Sequence, residues 1–438
     1  MRAITASMVR QGDRFVPDLA IVLDDDSITS VVPLTELPSG MQLDDWGRVA
    51  VVPGTVNAHG HAFQNLLKGF ADDRPFAEWR DKVLYPFSER LDGRAVYAGA
   101  LFAFAEALLA GTTTTVDFFY LHDHSNDNAE QVIAAARALG IRLVIARAFY
   151  DPGAPTRAPA RYREPAHLAA DRCRALARAH TEDRWVSVQP APHSLHAASV
   201  DTIRTALDLA EELDTPCHLH LAEASYERAM IQERFGLTPV RLLHKEGLLA
   251  PRLITVHAVW ADDEELDMLA EAGAGVVHCP GANAFLGDGI ARVPEMLARG
   301  IRVALGPDGG CANNRQSVFD EMREASLLAK ARLTDGSALD APTAFRLGTS
   351  AGAELLEVAA GEIAPGRVAD LVALDLDDLS LHPLETLEHQ VVHSMQTTAI
   401  ARVMVGGEVV VDRGRLTRVS NDEVIALVAE MTAGWTRP

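Results

Sequence analysis

The sequence predicts an α/β fold: eight βα units forming a (β/α)8 TIM-type barrel, with a small β domain built from both chain ends. Three observations predict it. Between residues 49 and 333, short β-branched runs alternate with longer helical patterns, the signature of a parallel sheet with crossover helices. Both flanks instead hold short β segments separated by turn residues. Histidines and acids collect at the C-terminal ends of the β-branched runs, the face on which barrels carry their sites. A doubly wound open sheet is the alternative that strand number alone leaves open.

The elements follow in order. Residues 1–53 hold LAIVLDD and ITSVVP, both strand-like. The eight barrel candidates are RVAVVPGTVNAH (48–59), TTTTVDFF (112–119), RLVIARAF (142–149), WVSVQPAP (185–192), PCHLHLAE (216–223), LITVHAVW (253–260), GAGVVHCP (273–280) and RVALGPDG (302–309). Between them lie helical segments such as RAVYAGALFAFAEALLAG, AEQVIAAARALG, VDTIRTALDLAEEL and DDEELDMLAEAG. Several end in glycine, a common helix stop. Residues 362–415 return to short β segments, with Gly406-Gly407 as a hairpin signal, and 420–434 reads as helix. The expected division is a barrel over 54–361 and a β domain from 1–53 and 362–438.

Composition narrows the function. The 61 acidic residues outweigh the 40 basic ones, for a formal charge of −21. That excludes nucleic acid, whose binding needs a basic surface, and an anionic membrane. Four scattered cysteines without a CxxC pair exclude a disulfide framework. No signal-like or spanning apolar run is present. The expectations are a cytoplasmic location, a small-molecule substrate and a homodimer.

The site candidates sit at strand ends: His59 and His61, His193, His220 with Glu223, His257, His278 and Asp308. One such histidine would be an ordinary hydrogen-bonded one; their recurrence at one topological position is the signal. His59-Gly60-His61 puts two imidazoles on one side of an extended chain. With His220 and Asp308 the set becomes three nitrogens and a carboxylate, which suits one divalent metal: zinc first, iron(II) or manganese(II) as alternatives. His218 and His220 form a second HxH. His218 lies deeper and reads as interior.

HGH after VVPGTVNA, HLAE, VHAV, HCPGANAFLGDGIA and GPDGGCANN resemble the amidohydrolase superfamily. Within it they resemble the branch of methylthioadenosine/S-adenosylhomocysteine deaminases, guanine deaminases, triazine hydrolases and formiminoglutamate deiminases. The resemblance spans nearly the whole chain. It implies a barrel plus a small β-sandwich from both chain ends. It implies His59, His61, His220 and Asp308 as metal ligands, Asp308 also taking a proton from water. Glu223 would shuttle protons to the substrate nitrogen, His257 would bond the attacking oxygen or the developing oxyanion, and His193 and His278 would line the substrate side. The plain alternative for Glu223 is an acid at a helix N-terminus. Some members bridge two metals with a carboxylated lysine. Only Lys68, Lys82, Lys245 and Lys330 occur here, none on the fourth strand, so one metal is expected.

Residues 62–88 read as a long loop, a lid or specificity segment. Gln64, Trp79 and Arg80 are its candidate binding residues, beside Tyr120, His193 and, at the end of the third strand, Arg147. Two relatives compete. LLKGFADDRPFAEW resembles adenosine-type deaminases, but Ser88 stands where those place a ribose-gripping glutamate. HAFQ, Trp79-Arg80, FFYLHD and HSLH resemble formiminoglutamate deiminase, but His196 stands where that family has a second carboxylate-binding arginine. The reading is therefore an aminohydrolase of an amidine-like carbon in an aminated heterocycle (purine, pterin, pyrimidine or triazine), releasing ammonia. A formimino-amino-acid deiminase, a triazine-type hydrolase and a metal-free scaffold are the alternatives.

Overall fold

The computed structural model describes residues 1–438. Both chain ends meet in one small β unit. Strands Arg2–Thr5, Leu19–Asp24, Ser27–Pro33 and Gln42–Asp45 form a four-stranded sheet. A seven-stranded sheet sets four C-terminal strands side by side with three N-terminal ones. Its joint is the antiparallel pair Val49–Pro53 with Leu371–Asp375, in the register Val52↔Val372. Alternation along this pair divides two cores. Val49, Val51, Leu371 and Ala373 enter a 14-residue apolar cluster shared by the two sheets. Ala50, Val52, Val372 and Leu374 enter the 121-residue main core. The period of two therefore glues the β unit to the body of the molecule. The predicted Gly406-Gly407 turn joins strands Ile400–Val405 and Glu408–Asp412, both glycines at positive φ.

Eight parallel strands follow in chain order: β1 Thr55–Asn57, β2 Thr112–Phe119, β3 Arg142–Phe149, β4 Val186–Pro192, β5 Cys217–Leu221, β6 Leu253–His257, β7 Gly275–His278 and β8 Val303–Leu305. They form two four-stranded sheets, β1–β4 and β5–β8. At one seam the His220 N–H donates to His193 O at 3.1 Å. At the other, Ala58 N–H donates to Leu305 O at 3.0 Å and Asp308 N–H to His59 O at 3.1 Å.

The predicted strand 48–59 is in fact two strands. Val49–Pro53 joins the β unit and Thr55–Asn57 is β1. Gly54 stands at the switch, packed so tightly that a Cβ there would run into the Thr113 side chain. The helices begin where the sequence offers caps. Asp92 accepts from Ala95 N–H at the start of Gly93–Leu109, Ser199 from Thr202 N–H at Val200–Leu213, and Asp262 with Glu265 makes a capping box at Asp263–Glu271. No helix is long and apolar enough to cross a membrane.

Candidate active site

The strand ends bring the nominated histidines together. The ligand nitrogens of His59, His61 and His220 lie within 4.8 Å of one another, as do the ligand atoms of His59, His257 and Asp308. Asp308 Oδ1 lies 3.5 Å from the Nε2 atoms of both His59 and His61. His61 Nδ1 faces Phe118 O at 2.7 Å and His220 Nδ1 faces His193 O at 2.9 Å. A carbonyl can only accept, so both rings carry their proton on Nδ1 and turn the Nε2 lone pair inward. Both ring nitrogens of buried His59 lack any hydrogen-bond partner, and a bound cation would satisfy one of them. Burial first, and the neighbouring imidazoles next, hold His59 well below its ordinary pKa and bring His61 down to about 3. The rings are neutral, as ligands must be. The donor set thus fits a divalent transition metal. His218, by contrast, points its Nε2 at Gln189 Oε1, 2.6 Å away, inside the barrel strands.

Glu223 is buried at the start of the turn after β5, with Oε1 3.6 Å from His257 Nε2. Burial above all, then the charges of Asp288, Asp308 and Glu227, raises its pKa well above the carboxylate range. That shift favours the protonated form, the one a general acid requires. His257 and Asp308 both sit at positive φ, 78° and 66°. Such backbone is unusual for side-chain-bearing residues and gathers at functional positions.

These groups open onto a narrow cavity. His61, His220, His257, Glu223 and Asp308 form its floor; Gln64, Trp79, Arg80, Tyr120 and His193 line its walls. Both ends of the Gln64 amide are engaged: Nε2 donates to Tyr120 Oη at 2.8 Å, and Oε1 accepts from Cys311 Sγ at 3.1 Å. Trp79 Nε1 donates to Cys311 O at 2.9 Å. The Arg80 guanidinium is tied to Asp81 at 2.8 Å and lies 5.7 Å from the Tyr85 and Tyr226 ring centres. His193 stacks on His220 with centroids 4.8 Å apart.

Two nominated residues do not reach the cavity. Arg147 is fully buried but points outward into the helix layer. It donates to Asn126 Oδ1 at 2.9 Å and pairs with Glu164 at 3.0 Å. The strand alternation that sequence alone cannot phase turns it away. His278 is buried without lining the cavity; the chain turns at Pro280 into a helix, and Leu286 on that helix reaches the wall instead. Sequence reasoning missed Tyr85, Tyr150 and Tyr162, which also line the cavity. With Tyr120 they make four of the chain's six tyrosines. That enrichment becomes a signal only when they are seen in one place. The segment 62–88 is not an open loop either: Ala62–Leu67 and Phe76–Ser88 are helical, with a π-helical turn over Trp79–Leu84.

The strand-end histidines, the aspartate after β8 and the glutamate after β5 define a hydrolase of carbon–nitrogen bonds, and the profile of the amidohydrolase family matches residues 50–410; the chain belongs to that family. It is 36% identical over 420 residues to a 5-methylthioadenosine/S-adenosylhomocysteine deaminase of Nitratidesulfovibrio vulgaris, covering 95% of this chain and 92% of the relative. It is 33% identical over 418 residues to a 5'-deoxyadenosine deaminase of Methanothermobacter thermautotrophicus, with 95% of each chain covered. Its fold matches an adenosine deaminase of Xanthomonas campestris crystallised with bound zinc, at TM-score 0.90, 28% identity, and coverage of 98% of this chain and 97% of that one.

Proposed function

We propose that the protein is a metal-dependent aminohydrolase. It replaces the amino group on an amidine-like carbon of an adenine-like heterocycle with oxygen and releases ammonia. The observation that carries this reading is a buried Glu223 beside a three-histidine cluster, at the floor of an aromatic cavity. His59, His61, His220 and Asp308 would hold the ion, with zinc favoured by the zinc-bound relative. When bound, such an ion acidifies water to a pKa of about 7.

The chain's own residues do the rest. Asp308 Oδ accepts the proton of the attacking water. Glu223 delivers a proton to the departing nitrogen, because amide ion is too poor a leaving group to depart unprotonated. His257 donates Nε2–H to the attacking oxygen and the negative charge it carries as it adds to the carbon. The Tyr120 and Trp79 side chains supply flat walls for the ring. The same reading joins the two four-stranded sheets into one closed (β/α)8 barrel over 54–361, supported by the backbone bonds at both seams, and packs 1–53 and 362–438 as a β-sandwich around the 14-residue cluster.

The relatives act on nucleosides; this cavity favours the free heterocycle. Apart from Glu223 and Asp308, both committed to chemistry, no carboxylate lines it to grip a diol. Ser88 is buried, accepting from Tyr162 Oη at 2.6 Å. A formimino deiminase is the second reading, favoured by Arg80. Its carboxylate would want a second cation, yet burial and Arg80 bring His196 down to about 3 and leave it neutral. An ammonia-release screen over free aminated purines, pterins, pyrimidines and triazines, their nucleosides, and formiminoglutamate decides among them. Fastest turnover of a free base is expected. Fastest turnover of formiminoglutamate would reverse the order, and fastest turnover of a nucleoside would restore the relatives' substrate class.

A further inference from the structure

Two overlapping donor sets share His59: one with His61 and His220, the other with His257 and Asp308. Distances do not choose between them. The atom behind each ring does. His61 and His220 back onto carbonyl oxygens. His257 alone backs onto an amide nitrogen: Asn283 Nδ2 lies 3.1 Å from its Nδ1. An amide N–H can only donate, so His257 Nδ1 must carry the lone pair and Nε2 the proton. That Nε2 is buried, has no partner, and points toward Glu223 Oε1 at 3.6 Å and Asp308 Oδ2 at 3.9 Å.

The amide's orientation is itself enforced. Asn283 is fully buried on the helix Pro280–Leu286. Its Nδ2 lies 3.5 Å from Asp288 Oδ2. Burial raises the Asp288 pKa to about 7; wherever that carboxyl is ionised, turning the amide over would set Oδ1 against it, oxygen to oxygen. Its Oδ1 stays unpartnered as the structure stands, a cost accepted only because the turned form is worse. Asp288 is held in place in turn. Gly287 and Gly289 at positive φ bend the chain back, Asp288 N–H donates to Asn283 O at 2.9 Å, and Trp260 Nε1 donates to Asp288 O at 2.9 Å.

We propose that Asn283, oriented by Asp288, is a positioning residue that sets the tautomer of His257. It keeps His257 an N–H donor to the reacting centre and bars it from serving as a metal ligand. With the amide turned, His257 would present a lone pair and complete the second donor set. The consequence for catalysis rests on the aminohydrolase reading above; the tautomer does not.

The test is a long-range ¹⁵N–¹H correlation spectrum of the protein as isolated, labelled with ¹⁵N-histidine. The His257 signals are assigned by their loss in His257→Gln. A neutral ring protonated on Nε2 is expected, and a ring protonated on Nδ1 overturns the proposal whatever the substrate proves to be. Asn283→Asp reverses the polarity behind the ring. It should move the His257 proton to Nδ1 and lower kcat about 100-fold, the low end for losing a positioned donor or acid–base group, with KM changed less than about threefold. Asp288→Asn removes the charge that forbids the turned amide; it should give a mixture of the two tautomers and a smaller loss. A folded Asn283→Asp protein, judged by an unchanged melting temperature, whose kcat stays near wild type also overturns the proposal. If that variant does not fold, the wild-type spectrum alone decides.

Discussion

Glu223 shares its surroundings with three other carboxyls, and that crowding makes it useful. A lone surface glutamate would be ionised at neutral pH and could donate nothing; here burial and the charges of Asp288, Asp308 and Glu227 push its pKa up, toward the protonated form. Glu223→Gln should therefore retain its bound metal and lose about 10²–10⁴-fold in kcat. Metal analysis beside steady-state kinetics checks both halves, and a variant near wild-type rate assigns Glu223 a structural role. Arg80→Ala should lower kcat/KM for a neutral heterocycle by only about 1–2 kcal/mol, one hydrogen bond to a charged group; a collapse of several orders of magnitude would point to a carboxylate clamp. Asp117 gives the pH test. It is fully buried, pushed up to about 7 by burial, with Oδ1 accepting from Ala62 N–H and Oδ2 unpartnered. A carboxyl raised by folding adds stability that is fully present below its unfolded pKa of 3.8. That stability is lost as pH rises through about 7, with a slope of at most about 1.4 kcal/mol per pH unit. Asp117→Asn keeps a carbonyl acceptor without the charge. Its unfolding free energy should fall less between pH ~5 and ~7, and parallel slopes in denaturant melts would refute the assignment. The His59, His61, His220, Glu223 and Asp308 cluster was legible because each residue lies at or just beyond the C-terminal end of a strand. Arg147 and His278 were misplaced because a strand's phase, and a helix starting at Pro280, decide which side chains turn inward.

At the scale of elements, the run 48–59 shows where pattern reading stops. Its residues are uniformly strand-forming, so nothing local announces that Val49–Pro53 and Thr55–Asn57 belong to different sheets. Gly54 is the only marker, and its reason is spatial: Thr113 occupies the room a Cβ would need. Gly54→Val should destabilise the fold by about 1–3 kcal/mol through overpacking; a urea midpoint equal to wild type would mean that Thr113 can yield. The helices were easier. Gly93–Leu109, Asp127–Leu139 and Val200–Leu213 lie where periodicity and glycine or acidic caps place them. The segment 62–88 was not, because its helical turns are short and one is π-helical. Such turns are stabilised by packing over the cavity, through contacts such as Trp79 Nε1 to Cys311 O, rather than by propensity.

For the whole molecule, metal and fold should be linked, since the four donors come from both sheets of parallel strands. A strong chelator should abolish activity and lower the melting temperature, and zinc should restore both, because an ion bound only by the folded chain stabilises it by mass action. About one ion per chain is expected; two after dialysis would contradict the lysine argument. Residue order alone established the alternation of strands and helices and the family motifs. These are read from local spacing, which a chain carries wherever it folds. Which tyrosines share a cavity, which face of β3 turns inward, how the chain ends join in one sheet and which way the Asn283 amide points were decided only in the tertiary structure. Each depends on atoms brought together across tens to hundreds of residues, and local spacing holds no record of such contacts.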